Sequence, residues 1–341
     1  MFRMIADIEV VNNSGGITTH FRGIKPSAVK WSQSVKNFAD TCSISLPLTP
    51  YLTNTGKNKT IFSSSATPPS DTVFHTGDSV EVWLGYNYDR HCFFKGFIRR
   101  INYAQPLVLE CEGYSYCLKD VMFTKSYRDT TIRGVLEDLT ADTDIKLSEY
   151  IPDVKLKNLT FKNVPGRNVL EWFQRECLCA VYFDADILYV GASRYAIPHP
   201  THKLRIGWNT VEDKEFKKDD AETKLSINLL QKSPKGEVKR TKSEQRKYDN
   251  IKEVKVRAGL PESFLKSVRE ELQKQEDYKG YKGTITAFLM PFFGKGDVCQ
   301  IIDERFPERG GKYFVESIDG SFDDKGGRQK LSLIYYGNDR E

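Results

Sequence analysis

The chain has 341 residues, of which 39% are hydrophobic and 28% charged, with a formal net charge of +5. This is ordinary globular usage, long enough for two or three packed units and too mildly basic to mark a nucleic-acid binder by itself. Met1-Phe2-Arg3-Met4-Ile5 runs straight into Asp7 and Glu9, and nowhere do about eighteen apolar residues run together, so neither an export signal nor a membrane anchor is expected.

The first part of the chain alternates apolar and polar residues, as half-buried strands must. Val29, Trp31 and Val35 share one face, and Cys42, Ile44 and Leu46 follow the same rule until Pro47 and Pro50 stop the strand. The stretch 53–76 is rich in Thr, Ser, Asn and Pro, the composition of a long mobile loop. Strands are then expected around Val80, Val82 and Leu84, from Phe93 to Ile101, and around Leu107, Leu109 and Cys111.

A different texture begins at Asp129. Ile132, Val135, Leu136 and Leu139 fall at helical spacing, with Asp129 or Thr130 available as the cap. After Pro165-Gly166 a second helix would turn Leu170, Phe173 and Cys177 to one face, and a hairpin turning at Asp184-Ala185-Asp186 follows. Beyond Pro198 and Pro200 the strand pattern returns, in Leu225, Ile227 and Leu229 and again in Val254 and Val256. Pro261 then opens a helix with Phe264, Leu265, Val268 and Leu272 inward. The last strands are expected within 284–289, 298–302, 313–318 and 330–336.

The end of the first β region recurs at the end of the chain. Gly77-Asp78-Ser79-Val80-Glu81-Val82 is matched by Gly296-Asp297-Val298-Cys299-Gln300-Ile301, each opening with a turn glycine and an aspartate. The strand from Phe93 to Ile98 is matched by that from Lys312 to Ile318, and Leu107-Val108-Leu109-Glu110 by Lys330-Leu331-Ser332-Leu333. The expected fold is therefore mainly β (α+β): two related β-barrels, 1–120 and 200–341, flanking a small α+β insert, 121–199. The second barrel would carry a basic hairpin, 232–257, and a helix, 261–275.

With these motifs the sequence resembles the baseplate hub family of phage tails and related contractile injection systems: the late-control-D proteins, Mu-type tail proteins and the amino-terminal part of the type VI secretion protein VgrG. The likeness rests on Gly77 through Tyr86, Phe94-Lys95-Gly96-Phe97-Ile98, Cys111-Glu112-Gly113-Tyr114-Ser115-Tyr116, and the carboxyl stretch from Gly296-Asp297 to Ile318. The resemblance implies a virion structural protein of the tail baseplate, made in the host cytoplasm. It implies a homotrimer that adapts a sixfold tail tube to a threefold spike around a central channel. The chain ends at Glu341, shortly after the second barrel, so the spike is expected to be a separate partner, with a tape-measure protein as a further one. Two other readings stay open: a tail-associated cell-wall hydrolase, and a host-binding adhesin acting through the 53–76 loop.

Reactive constellations are sparse. The seven cysteines (Cys42, Cys92, Cys111, Cys117, Cys177, Cys179, Cys299) are odd in number and scattered in apolar runs, which reads as reduced, buried thiols. Cys177-x-Cys179 is too closely spaced for a usual zinc pair, and the five histidines show no metalloprotease spacing and read as surface residues. Asp184 and Asp186 could be the carboxylate pair of a glycosidase, but their place at a hairpin tip favours a turn. The Gly294-Lys295-Gly296 and Gly310-Gly311-Lys312 runs lack the full phosphate-loop pattern and read as turns. No catalytic, cofactor or metal residues are assigned, and no enzyme activity is expected.

Charge is concentrated between Lys232 and Arg257, where ten basic residues face four acidic ones. The plain reading is a solvated hairpin. The sharper one makes Lys232, Lys235, Lys239, Arg240, Lys242, Arg246 and Lys247 contacts to an acidic partner or to a channel passing nucleic acid, without sequence readout because only Tyr248 supplies an aromatic.

Overall fold

The structure is a computed structural model that describes residues 3–14, 17–47, 53–54, 74–219, 225–232, 238–241 and 250–336. The first β region comprises β1 (Met4–Ser14), β2 (Ile17–Ile24), β3 (Ala28–Ser34), β4 (Thr41–Leu46), β5 (Thr53–Asn54), β6 (Ser79–Tyr86), β7 (Asp89–Asn102) and β8 (Leu107–Glu112). Next come β9 (Met122–Thr131), α1 (Ile132–Thr140), β10 (Lys146–Leu147), β11 (Lys155–Pro165), α2 (Gly166–Glu176), β12 (Ala180–Asp184) and β13 (Ile187–Gly191). The last part holds β14 (Thr201–Arg205), β15 (Thr210–Lys218), β16 (Leu225–Lys232), β17 (Val238–Thr241), β18 (Asn250–Arg257), α3 (Glu262–Asp277), β19 (Tyr281–Ala287), β20 (Val298–Ile302), β21 (Gly311–Asp323) and β22 (Gly326–Tyr335).

The apolar alternation places the expected residues in the core. Val29, Trp31, Ile44, Val82, Leu84, Leu109 and Cys111 are all buried, joined by Phe74 at the end of the loop segment. Of that segment, Thr53–Asn54 pair as a short strand with Arg22 and Phe21 of β2, and 55–73 lie outside the described residues.

Among the described residues the strands do not close into two barrels. Among the described residues they form one open 14-stranded sheet running β15-β19-β22-β21-β3-β4-β8-β7-β6-β1-β2-β5, with β14 and β20 attached beside β21. The reason lies in β21. Its first residues pair with β20, but from Ser317 to Phe322 the same strand pairs with β3, so the carboxyl-terminal β region opens onto the amino-terminal one instead of closing on itself.

The middle elements pack a second core. α1 buries Ile132, Val135, Leu136 and Leu139, and its start is capped by Thr131, whose hydroxyl accepts the Gly134 amide at 3.0 Å, rather than by Asp129 or Thr130. α2 buries Val169, Leu170 and Phe173 against β11, β12 and β18. The hairpin turn at Asp184–Asp186 holds Ala185 at φ +49°. The expected basic hairpin is part of a three-stranded sheet in which β16 pairs antiparallel with β17 and parallel with β18. Ile227, Leu229 and Val256 of this sheet, with Phe264, Leu265 and Val268 of α3, share the core formed by α1, α2 and β12–β13.

Candidate assembly interfaces

The two β regions carry the same turn, bonded in the same way. The Gly77 amide donates to the Ile98 carbonyl at 2.8 Å, and the Gly296 amide to the Val315 carbonyl at 2.8 Å. Ile98 and Val315 donate in return to the carbonyls of Asp78 and Asp297, at 2.8 and 2.9 Å. Each aspartate then folds its side chain back onto the turn: Asp78 accepts the His75 amide at 2.8 Å and Asp297 the Gly294 amide at 2.6 Å. Both glycines sit at positive φ, +96° and +91°, where a side chain is strained. Both carboxylates are buried, which fits their use as turn anchors.

From these turns the register repeats strand by strand. Ser79 opposes Phe97 and Glu81 opposes Lys95 in the first region, as Val298 opposes Phe314 and Gln300 opposes Lys312 in the second. One row across the first sheet reads Trp31, Cys42, Cys111, Ile98, and its counterpart reads Phe216, Gly283, Leu333, Val315. Even the irregularity is shared: β7 bulges between Ile98 and Arg100, and β21 between Val315 and Ser317. A bulge bends a strand and raises its twist, so its recurrence at matched positions gives both regions the same curvature. Five strands, β3, β4, β8, β7 and β6, thus correspond to β15, β19, β22, β21 and β20.

The junction between the regions is tightly fitted. Gly320 of β21 lies opposite Trp31 of β3, and a Cβ at Gly320 would fall 1.9 Å from the indole ring. One row away, the Ser32 hydroxyl donates to Asp319 at 2.7 Å. The bulge residue Glu316 is buried and salt-bridged to Arg194, from the segment after β13, and to Lys36 at 2.7 Å. Lys295, in one of the glycine-lysine turns, is buried against Asp40 at 2.5 Å. Sequence reasoning missed these polar clasps because a lysine between two glycines has no pattern that distinguishes a buried tether from a solvated turn.

The histidines correct an expectation. His199 is not a surface residue: its side chain is 8% exposed and its Nδ1 lies 3.6 Å from Asp297, while His202 Nε2 lies 3.4 Å from the other oxygen. His75 stands 3.9 Å from Asp78 in the matching turn. Of the other candidates, Asp186 is paired with Lys146 at 2.8 Å. The cysteines are free thiols, and burial pushes Cys111 up to about 12 and Cys92 and Cys117 to about 11, which keeps them protonated at neutral pH. Among the described residues no group of three or more His, Cys, Asp or Glu side chains is placed to hold a metal ion.

Of the basic stretch, Lys232, Lys239 and Arg240 lie on β16 and β17, with Lys239 opposite Gln231 and Arg240 opposite Leu230. Lys235, Lys242, Arg246 and Lys247 lie outside the described residues. Two of its other cations are engaged within the chain. Lys252 bonds Glu276 at 2.6 Å, and Arg257 stacks 5.3 Å from the Trp172 ring while donating to the carbonyls of Lys157 and Asn158. Large apolar side chains are exposed at three turn tips: Tyr88 between β6 and β7, Trp208 between β14 and β15, and Phe306 between β20 and β21. Trp208 is held by Arg205, 4.8 Å from its ring.

In fold, this arrangement is similar to that of known tail proteins. The chain superposes on the crystal structure of a tail protein from Neisseria meningitidis with a TM-score of 0.61 at 15% identity, covering 98% of this chain and 97% of that one. A 43 kDa tail protein of prophage MuSo2 from Shewanella oneidensis gives 0.58 at 11% identity, with 97% of each chain covered. An Escherichia coli component of the type VI secretion system, described as structurally similar to the T4 bacteriophage tail proteins gp27 and gp5, gives 0.54 at 9% identity over 97% of this chain and 77% of that one. No protein-family model matches the chain, and no curated protein matches it in sequence. At the level of fold, the resemblance to tail hub proteins read from the sequence is borne out.

Proposed function

We propose that this protein is the structural baseplate hub of a phage tail or tail-like injection machine. It acts as a homotrimer whose six similar β units adapt a sixfold tail tube to a threefold spike. The observation that carries this reading is the repeat: one turn, one register and one bulge occur in both β regions of a single chain. Three copies of a two-unit chain present six near-equivalent surfaces to a sixfold ring while keeping true threefold symmetry towards the spike. That task is geometric and needs no catalytic group.

In this reading the chain divides into a first tail-hub unit (1–120), an α+β insert (121–199) and a second tail-hub unit (200–341). The tube and a separate spike bind at opposite ends, a tape-measure protein is a further partner, and the hub works in the virion baseplate after synthesis in the host cytoplasm. Lys232, Lys235, Lys239, Arg240, Lys242, Arg246 and Lys247 form a basic contact to an acidic partner or to cargo in the channel, which is non-specific because phosphate contacts alone carry no sequence information.

The test is genetic and structural together. Particles produced without this chain should lack organised baseplates and fail to infect, and the chain labelled in intact tails should localise to the end of the tube distal from the head. Normal, infectious tails in its absence would refute the hub role. Within that test, replacing Lys239, Arg240 and Lys242 by Glu should impair assembly or ejection, and full infectivity would remove the basic contact from the proposal.

A further inference from the structure

Where α3 runs into β19, its last turn and the start of β21 border an open cleft of about 680 Å3, a volume within the range of ligand sites. Among the described residues its lining consists of tyrosine, lysine, glycine and two carboxylates, without one aliphatic side chain. The Gly310-Gly311-Lys312 run, which reads as a turn in the sequence, is part of this lining and adds bare backbone on the β21 side, with Gly311 at φ +146°. A long apolar ligand has little to bury against here.

The tyrosines are held in place within the chain. Tyr278 donates its hydroxyl to the Tyr281 carbonyl at 2.9 Å, and its ring folds over Gly280 so closely that a Cβ there would stand 2.6 Å from a ring carbon. Tyr281 stacks on Phe216 with ring centroids 5.6 Å apart, and Tyr313 donates to the Arg309 carbonyl at 2.9 Å. Around these rings Lys274 in the last turn of α3, Lys279 just beyond it and Lys312 on β21 are exposed and supply positive charge. Asp277, which accepts the Gln273 side-chain amide at 3.0 Å, and Glu308 supply acceptors.

We propose that this cleft binds a short anionic oligosaccharide, one whose rings carry carboxylate or phosphate groups. Sugar rings present C–H faces that pack on aromatic rings, and rings already fixed spare the binding event the cost of ordering them. The lysine ammonium groups recognise the charged substituents through charge-assisted hydrogen bonds, and the carboxylates and bare backbone accept from hydroxyls. The same carboxylates weigh against the other polyanion that stacks on tyrosine, a single-stranded nucleic acid. It brings a phosphate with every base, and Asp277 and Glu308 would repel that backbone. The site goes beyond the hub reading and does not depend on it, since it uses none of the matched turn residues.

Calorimetric titration of the full chain tests this. The probes are trigalacturonate, a phosphorylated lipopolysaccharide core freed of its lipid, and a teichuronic acid fragment, with neutral maltotriose and an oligothymidylate as comparisons. At least one anionic sugar should bind once per chain, more weakly as salt is raised, and maltotriose should bind about tenfold more weakly. Preference for the core or for the teichuronic fragment tells an outer-membrane source from a cell-wall one. Lys274→Gln with Lys279→Gln and Lys312→Gln should weaken the anionic sugar about tenfold while leaving the unfolding midpoint near that of wild type, because these side chains are exposed. Tyr278→Leu should weaken it as well, and if that variant loses stability the lysine variant decides alone. Failure of all three anionic sugars to bind, undiminished binding by the lysine variant, or equal binding of maltotriose overturns the proposal. Tighter binding of the oligothymidylate overturns it in favour of nucleic acid. None of these outcomes touches the hub reading, which stands or falls on copy number.

Discussion

The ammonium of Lys295 lies 2.5 and 2.6 Å from the two carboxylate oxygens of Asp40, joining positions 255 residues apart with both side chains almost wholly buried. Asp40 stands just before β4, and its carbonyl also receives the Gly113 amide at 2.9 Å. Lys295 stands in the turn before β20, so the pair ties the matched turn of the second β region to the sheet of the first. Burial pushes the Asp40 carboxyl up and the Lys295 charge opposes it. Removing one partner leaves the other as an uncompensated buried charge. Lys295→Met should therefore destabilise the chain by about 3–5 kcal/mol, while Lys295→Met with Asp40→Leu recovers most of that loss. Urea unfolding of the two variants checks this, and a single variant as stable as wild type would show that the pair does not tie the regions together.

The internal junction makes its own prediction. Because the Trp31 ring covers Gly320, with ring atoms 1.9 Å from where a Cβ would stand, Gly320→Val must displace the indole or part β3 from β21. Overpacking of this kind costs about 1–3 kcal/mol or more. The expected result is a lower midpoint in denaturant together with a change in Trp fluorescence, and an unaltered midpoint would mean that the two regions are not locked through this row.

The two matched turns should respond unequally to the same change. Gly77 and Gly296 share a positive φ, so alanine at either position is strained by about 1–3 kcal/mol. At Gly77 the nearest atom to an added Cβ is the Tyr116 hydroxyl at 3.8 Å, whereas at Gly296 the His199 ring lies at 2.6 Å. Gly296→Ala is therefore expected to cost more than Gly77→Ala in thermal unfolding, and the reverse order would contradict the buried placement of His199.

A pH dependence follows from the tie between α1 and β9. The Asp138 carboxylate accepts the Tyr127 hydroxyl at 2.6 Å and Lys125 at 3.2 Å, and the tyrosine hydrogen bond, followed by the lysine, holds its pKa below the ordinary carboxylate value. A depressed folded pKa contributes stability that is present above the unfolded value, about 3.9, and is lost as pH falls through the folded one. Wild type should thus exceed Asp138→Asn in Tm at neutral pH, and the gap should close as pH drops below about 4. A gap that widens in acid would reverse the sign.

What could be read from the sequence was what strand alternation and helical spacing encode. Val80, Val82 and Leu84, or Ile132, Val135 and Leu136, each bury one face and leave the other polar, so the pattern and the core coincide. β9 and β15 have no such pattern: each buries only one residue, Phe123 or Phe216, and most of their other side chains are exposed, so their sequences look like loops. The open sheet was hidden for a different reason. Nothing in the residues of β21 distinguishes pairing with its own unit from pairing with β3, because both partners offer the same backbone edge. The repeat was visible as Gly-Asp turns before strands, but its shared bulge appears only in the strand pairing.

The most direct measurement is the copy number and symmetry of the purified chain, from light scattering and end-on electron-microscopy averages computed without imposed symmetry. A hub of two matched units per chain should have three chain masses and show a threefold ring with six similar lobes. A monodisperse monomer or dimer, or a ring of another copy number, would contradict it.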